Sequence, residues 1–204
     1  MKILITAFDP FGGELTNASL ECLERIESPY AEIIKIVLPT SFERSIEVAA
    51  NAIVTHKPDA VIMLGQAAGR SVVTVERVAI NLDDAAITDN DQNKPVDTPI
   101  GPNTPSAYFA TLPVKKIVGR MHAYGVPASV SCSAGTFVCN HVMYGVLHLL
   151  SGIAPKTPAG FIHLPITPNQ AKGNMASMST ETAVRGISAA IDETIIYLGG
   201  NIDG

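Results

Sequence analysis

Short apolar runs separated by amphipathic stretches constrain this chain most. Residues 2–6, 33–38, 60–65, 128–131 and 160–164 are brief, rich in β-branched residues and bounded by Gly, Pro or polar residues, which predicts strands. Several are apolar on both faces, as central strands covered by helices on each side must be. Between them lie helical patterns over 41–56, 105–124, 139–150 and 179–198, and Cys22 falls in another amphipathic helix. In 41–56, Phe42, Ile46, Ala49, Ala50, Ile53 and Val54 form one stripe, stopped by Lys57-Pro58. The order β-α-β-α-β predicts an α/β fold, an open sheet with helices on both faces. The fold class expected is a three-layer, open, twisted, mixed sheet of the phosphorylase or hydrolase kind. Ligands of such sheets bind beyond the carboxyl ends of the strands. Residues 72–80 alternate less regularly and carry Glu76 and Arg77.

Composition narrows the functional classes. The chain has 204 residues, 47% hydrophobic and 16% charged, which suits a single domain over 1–204 with its own core and excludes wholesale disorder. No apolar run approaches the roughly 18 residues of a membrane helix, and the opening 1–6 run is too short for a signal-peptide core. A net charge of −5, with no basic cluster beyond Lys115-Lys116, argues against nucleic acid as a partner. The expectation is a cytoplasmic domain that handles small molecules or peptides. Three cysteines without a CxxC, and five histidines without an HxH or HxxxH pair, predict neither a disulfide framework nor a metal site. With no cofactor motif present either, the chemistry falls to side chains.

Cys139 follows the 128–131 strand and opens a helix. A thiol in a first turn feels the positive end of the helix dipole, so its pKa is expected to fall, and the same N–H groups suit an oxyanion. Cys22 reads as a buried thiol and Cys132 as a flanking one. A catalytic cysteine needs a base. His141 lies nearly opposite on the same helix, His148 two turns further along, and His56 and His122 near helix ends. His163 sits inside the apolar run 161–165, late in a strand, which fits either a base or a buried structural histidine. Glu76 is embedded in Val73-Thr74-Val75-Glu76-Arg77-Val78, where an acid needs a partner. It suits orienting a histidine, or pairing with Arg70 or Arg77. The turn Phe8-Asp9-Pro10-Phe11-Gly12-Gly13 lacks GxGxxG and a following Lys-Ser/Thr, so it suits an apolar ligand better than a phosphate. Residues 83–106 form 24 positions rich in Asp, Asn, Pro and Thr without a helical stripe: a functional loop, a protruding arm or a solvated insertion.

Taken together, three blocks resemble the pyroglutamyl-peptidase I (pyrrolidone-carboxylate peptidase) family of cysteine peptidases along nearly the whole chain. They are Thr6-Ala7-Phe8-Asp9-Pro10-Phe11-Gly12-Gly13 with Asn17-Ala18-Ser19, the stretch from Gly65-Gln66-Ala67 to Asn81, and Ser131-Cys132-Ser133-Ala134-Gly135-Thr136-Phe137-Val138-Cys139-Asn140 through Tyr144. The resemblance implies a Glu76–Cys139–His163 triad that releases 5-oxoproline from peptides with an N-terminal pyroglutamyl residue through a thiol acyl-enzyme. It places the substrate against Phe8, Phe11, Phe137 and Val138, with Thr40 and Ile87, while Gln66 or backbone groups bond the lactam. It also implies a homotetramer, for which the 83–106 segment offers a contact arm. Ala7 and Ala18 replace the family's usual Gly and Pro, and Ala86 stands where relatives commonly carry Arg, which implies slower turnover or an altered preference. Two rivals remain on residues alone. A cysteine amidotransferase would need charged partners for glutamine, and none stands near Phe8 or Phe137. A non-catalytic nucleoside-binding domain of related fold would have no use for three triad residues in their motifs.

Overall fold

A computed structural model describes residues 1–202. Eight strands and five helices follow one another as β1 (Lys2–Phe8), α1 (Ala18–Arg25), β2 (Glu32–Leu38), α2 (Ser45–His56), β3 (Ala60–Gln66), β4 (Val73–Glu76), β5 (Val78–Ile80), β6 (Ala107–Phe109), α3 (Val114–Ala123), β7 (Ala128–Ser131), α4 (Val138–Ile153), β8 (Ala159–Leu164) and α5 (Thr180–Tyr197). Six strands form one sheet in the order β2-β1-β3-β8-β4-β7. All neighbours are parallel except β8 and β4, which makes the sheet mixed.

The alternation of side chains along each strand divides the interior into two cores. Ile3, Ile5, Ile62, Leu64, Val75 and Ile162 pack with residues of α1, α3 and α5. Leu4, Phe8, Val61, Met63 and Phe161 pack with residues of α2 and α4. This is the expected three-layer arrangement. Among the described residues, no helix is long and apolar enough to cross a membrane.

One sequence expectation changes, and one irregular stretch resolves into two strands. The helix expected over 105–124 is instead strand β6 followed by α3, because Pro113 occupies the N-cap position of that helix and disfavours helical backbone at the residue before it. Residues 72–80 split at Arg77. Its N–H bonds to Ser131 O in the main sheet, while its carbonyl accepts from Ala110 N beside the β5–β6 ribbon. That break lets Glu76 end a buried strand while Val78 begins a half-buried ribbon.

Residues 83–106 contain no helix or strand beyond an isolated bridge between Asp83 and Thr98. Their first part is stitched to the body. Asp84 N donates to Thr136 O at 3.0 Å, Asn90 N to Thr40 O at 2.9 Å, and Phe42 N to Asp89 Oδ2 at 2.8 Å.

Candidate active site

Three neighbouring elements carry the site. His163, late in β8, is the register partner of Gly65 in β3 and of Thr74 in β4. Register partners share a face of the sheet, so His163, Thr74 and, two residues on, Glu76 all face α4. Glu76 is fully buried and His163 only 4% exposed. Nδ1 of His163 lies 2.8 Å from Glu76 Oε1. Burial pushes the Glu76 carboxyl up, but the hydrogen bond and charge of His163, helped by Arg70, outweigh it and hold the group below its usual range. A carboxylate only accepts, so Nδ1 is the protonated nitrogen and Nε2 keeps its lone pair. Burial also lowers His163, against the opposing pull of Glu76, so the imidazole rests neutral.

Cys139 reaches this pair from the opposite layer. The β7–α4 connection turns at Gly135, whose φ of +81° only glycine adopts without strain, and Ser133 Oγ accepts from Gly135 N at 3.2 Å. Phe137 is the N-cap of α4, and Cys139 is the second residue of that helix. Its sulfur rests on bare backbone: a β-carbon on Gly65 would lie 2.9 Å from Cys139 Sγ and 2.7 Å from Phe161 Cζ. Glycine is required there by close approach.

The thiol does not behave as its helix position suggests. Burial pushes Cys139 up to about 12, and the Glu76 carboxylate adds to the rise, while Arg70 opposes it. Desolvation therefore outweighs the helix dipole. The thiol and the imidazole therefore both rest uncharged.

The helix start is fixed from two sides. Asn140 Oδ1 accepts from Ile80 N at 3.0 Å, and its Nδ2 donates to Ile80 O and Leu82 O at 2.9 and 3.0 Å. His141 points away from the sheet, as its offset from Cys139 requires, and its Nδ1 lies 2.7 Å from Asp83 Oδ2. His148 bonds the Tyr108 hydroxyl and His122 the Ala128 carbonyl. Cys22 is fully buried and Cys132 exposed.

The expected pocket residues divide. Phe11 and Phe137 stack obliquely with centroids 5.9 Å apart, and Phe42 meets Phe137 edge-on at 5.3 Å. Phe11, Gln66 and Ile87 line one cleft of about 240 Å³ with Ile166 and Gln170. Ile87 is exposed at its rim, while Ala86 beside it carries no charge. Phe8 and Val138 are buried beneath, Phe8 with its ring 6.3 Å from that of Phe161. Thr40 is buried as a tether, donating from N and Oγ1 to Asp9 Oδ1 and O at 2.7 and 3.1 Å. Gln66 Oε1 is taken up by Ala18 N at 2.7 Å and Gln170 Nε2 at 2.8 Å, so that oxygen braces loops. Sequence reasoning missed Phe42, Gly65 and Phe161, and treated Arg70 only as an ion-pair partner. The spacing of Phe161 two residues before His163, hence on the same face, was the available signal.

Comparison with known proteins shows which family the chain belongs to. A family model described as pyroglutamyl peptidase matches residues 1–197. The pyrrolidone-carboxylate peptidase of Clostridium botulinum is 49% identical over 199 residues, covering 96% of this chain and 93% of its own. That of Streptococcus pyogenes serotype M1 is 50% identical over 195 residues, covering 94% and 91%. The crystal structure of pyroglutamyl peptidase I from Bacillus amyloliquefaciens superposes with a TM-score of 0.94 at 40% identity, covering 100% of this chain and 99% of that one. A mutant pyrrolidone carboxyl peptidase from Pyrococcus furiosus gives 0.93 at 40% identity, covering 97% and 100%. With similarity running along more than nine-tenths of both partners, the chain belongs to the pyroglutamyl peptidase family.

Proposed function

We propose that this chain hydrolyses the amide bond after an N-terminal pyroglutamyl residue, with Cys139 as nucleophile, His163 as base and Glu76 as the group that orients it. The observation that carries the reading is the meeting of three elements at Gly65. The α4 thiol rests on Gly65, whose register partner is the β8 histidine that a buried β4 carboxylate holds through Nδ1.

Because the thiol rests protonated, its proton leaves as the bond forms. His163 Nε2 takes it while Cys139 Sγ attacks the pyroglutamyl carbonyl. Glu76 stabilises the imidazolium that results. N–H groups of the first turn of α4, uncapped by the Phe137 side chain, receive the oxyanion. Collapse of the tetrahedral adduct breaks the C–N bond, and the imidazolium returns its proton to the leaving amine. Water, deprotonated by His163, then attacks the thioester; pyroglutamate leaves and the thiol is reprotonated.

The walls suit a neutral lactam. Phe11 and Ile87 line the cleft with apolar surface, and Phe137 packs on Phe11, while the charged pair that also lines it, Glu14 and Lys172, is engaged with itself at 3.4 Å. The reading extends to peptide substrates and to a cytoplasmic homotetramer, as the resemblance implies. Release of a fluorescent amine from a pyroglutamyl amide, beside prolyl and glutaminyl controls, tests the activity. Selective release that disappears in Cys139→Ser supports it; no release from reduced protein overturns it. Light scattering tests the oligomer.

A further inference from the structure

We propose that Arg70 is a positioning residue: one guanidinium ties the carboxylate that holds His163 to the loop that delivers Cys139. The inference rests on reading those two residues as base and nucleophile.

Arg70 lies in the connection between β3 and β4, in a turn closed by Arg70 N donating to Ala67 O at 3.3 Å. Its Nη1 donates to Glu76 Oε1 at 2.5 Å and also to Thr74 Oγ1. Its Nη2 donates to Ser133 O at 3.1 Å. Thr74 Oγ1 in turn donates to the same Glu76 oxygen at 3.4 Å. The Oε1 atom therefore receives Arg70, Thr74 and His163 together, and its position is set by all three. Glu76 Oε2 is buried without a partner, so the carboxylate is held through one oxygen.

Ser133 stands six residues before Cys139, on the far side of the Gly135 turn. The β4–β7 pairing ends with Glu76 opposite Ser131, and Arg70 carries the link two residues further, from the acid to Ser133 in the loop leaving β7. Only a planar fork with two separated donors serves both, so a lysine keeps the charge but not the span. The ionisable groups facing this carboxylate are His163 from β8, Cys139 from α4 and Arg70 itself. The cation lowers both the imidazole and the thiol, so its loss moves both upward.

The test compares the parent chain with Arg70→Met and Arg70→Lys. The readouts are kcat and KM on a pyroglutamyl amide, the rate of Cys139 alkylation by iodoacetamide at pH 8.5 followed by peptide mass spectrometry, and the melting temperature. Arg70→Met is expected to lower kcat at least about tenfold with KM little changed, and to slow alkylation at least about threefold, because the thiolate fraction falls. Arg70→Lys is expected to lower kcat while slowing alkylation less, and it carries the test alone if Arg70→Met does not fold. A lower melting temperature with unchanged kcat and alkylation rate overturns the proposal, as does a kcat loss without slower alkylation. Alkylation needs no pyroglutamyl substrate. A parent chain that alkylates normally but releases no amine therefore fails the functional reading, while the Arg70 inference is judged on the alkylation rate.

Discussion

The sulfur of Cys139 packs on the α-carbon of Gly65, the residue that pairs in register with His163. A methyl group there would meet Sγ at 2.9 Å and the buried Phe161 ring at 2.7 Å, both closer than carbon tolerates. Gly65→Ala is expected to cost about 1–3 kcal/mol in urea unfolding. By displacing the thiol it should lower kcat about 100-fold. An alanine variant with the parent's turnover would show that Cys139 does not act from this position.

Glu76→Gln keeps the shape but offers an amide where His163 Nδ1 needs an acceptor, 2.8 Å away. Half of the amide orientations favour the wrong tautomer. The expected loss in kcat is roughly 10²–10⁴-fold with KM little affected. Steady-state kinetics on a pyroglutamyl amide check this, and a change confined to KM would contradict the assigned role.

Stability should fall at both ends of the pH scale, for opposite reasons. His163 and Glu76 are lowered on folding, His163 by burial and Glu76 by its partners against burial. The folded state binds fewer protons, so their contribution is complete above their ordinary values and is lost as pH falls. Cys22 and Cys139 are raised by burial from 9.0 to about 12. Their contribution is complete below pH 9.0 and is lost as pH rises toward 12. Urea midpoints measured from pH 4 to 10.5 should trace this dome, with a shallower alkaline limb in Cys22→Ala. A flat alkaline limb in the parent chain would count against the raised pKa of these thiols.

Asp89 is 2% exposed and accepts three backbone N–H groups, from Phe42 at 2.8 Å, Asp91 at 2.9 Å and Asn93 at 2.7 Å. It fixes the segment that carries Ile87 over the cleft. Asp89→Ala should cost about 1–3 kcal/mol and raise KM more than it lowers kcat. Thermal melts and kinetics together decide it; a kcat effect alone would place this segment in the chemistry instead.

The amino-acid sequence by itself determined the layers. Five apolar runs and the stripes between them specify strands and helices because side chains repeat with period two or near 3.6, and each apolar face must be buried. Glu76 and His163 were legible as polar residues at strand positions where burial demands a partner, and Cys139 as a thiol at a helix start. Over 105–124 one proline, at 113, outweighs a continuous helical stripe. Only the tertiary structure decided that β4 runs antiparallel to β8, which sets Thr74 opposite His163 and brings Glu76 to its ring. Strand direction leaves no trace in a local pattern, since a run of apolar residues reads alike in both senses. The state of the Cys139 thiol was likewise undecided by sequence. The helix dipole is a local property, whereas the burial that overrides it is assembled from Gly65, Phe161 and Glu76, far apart along the chain.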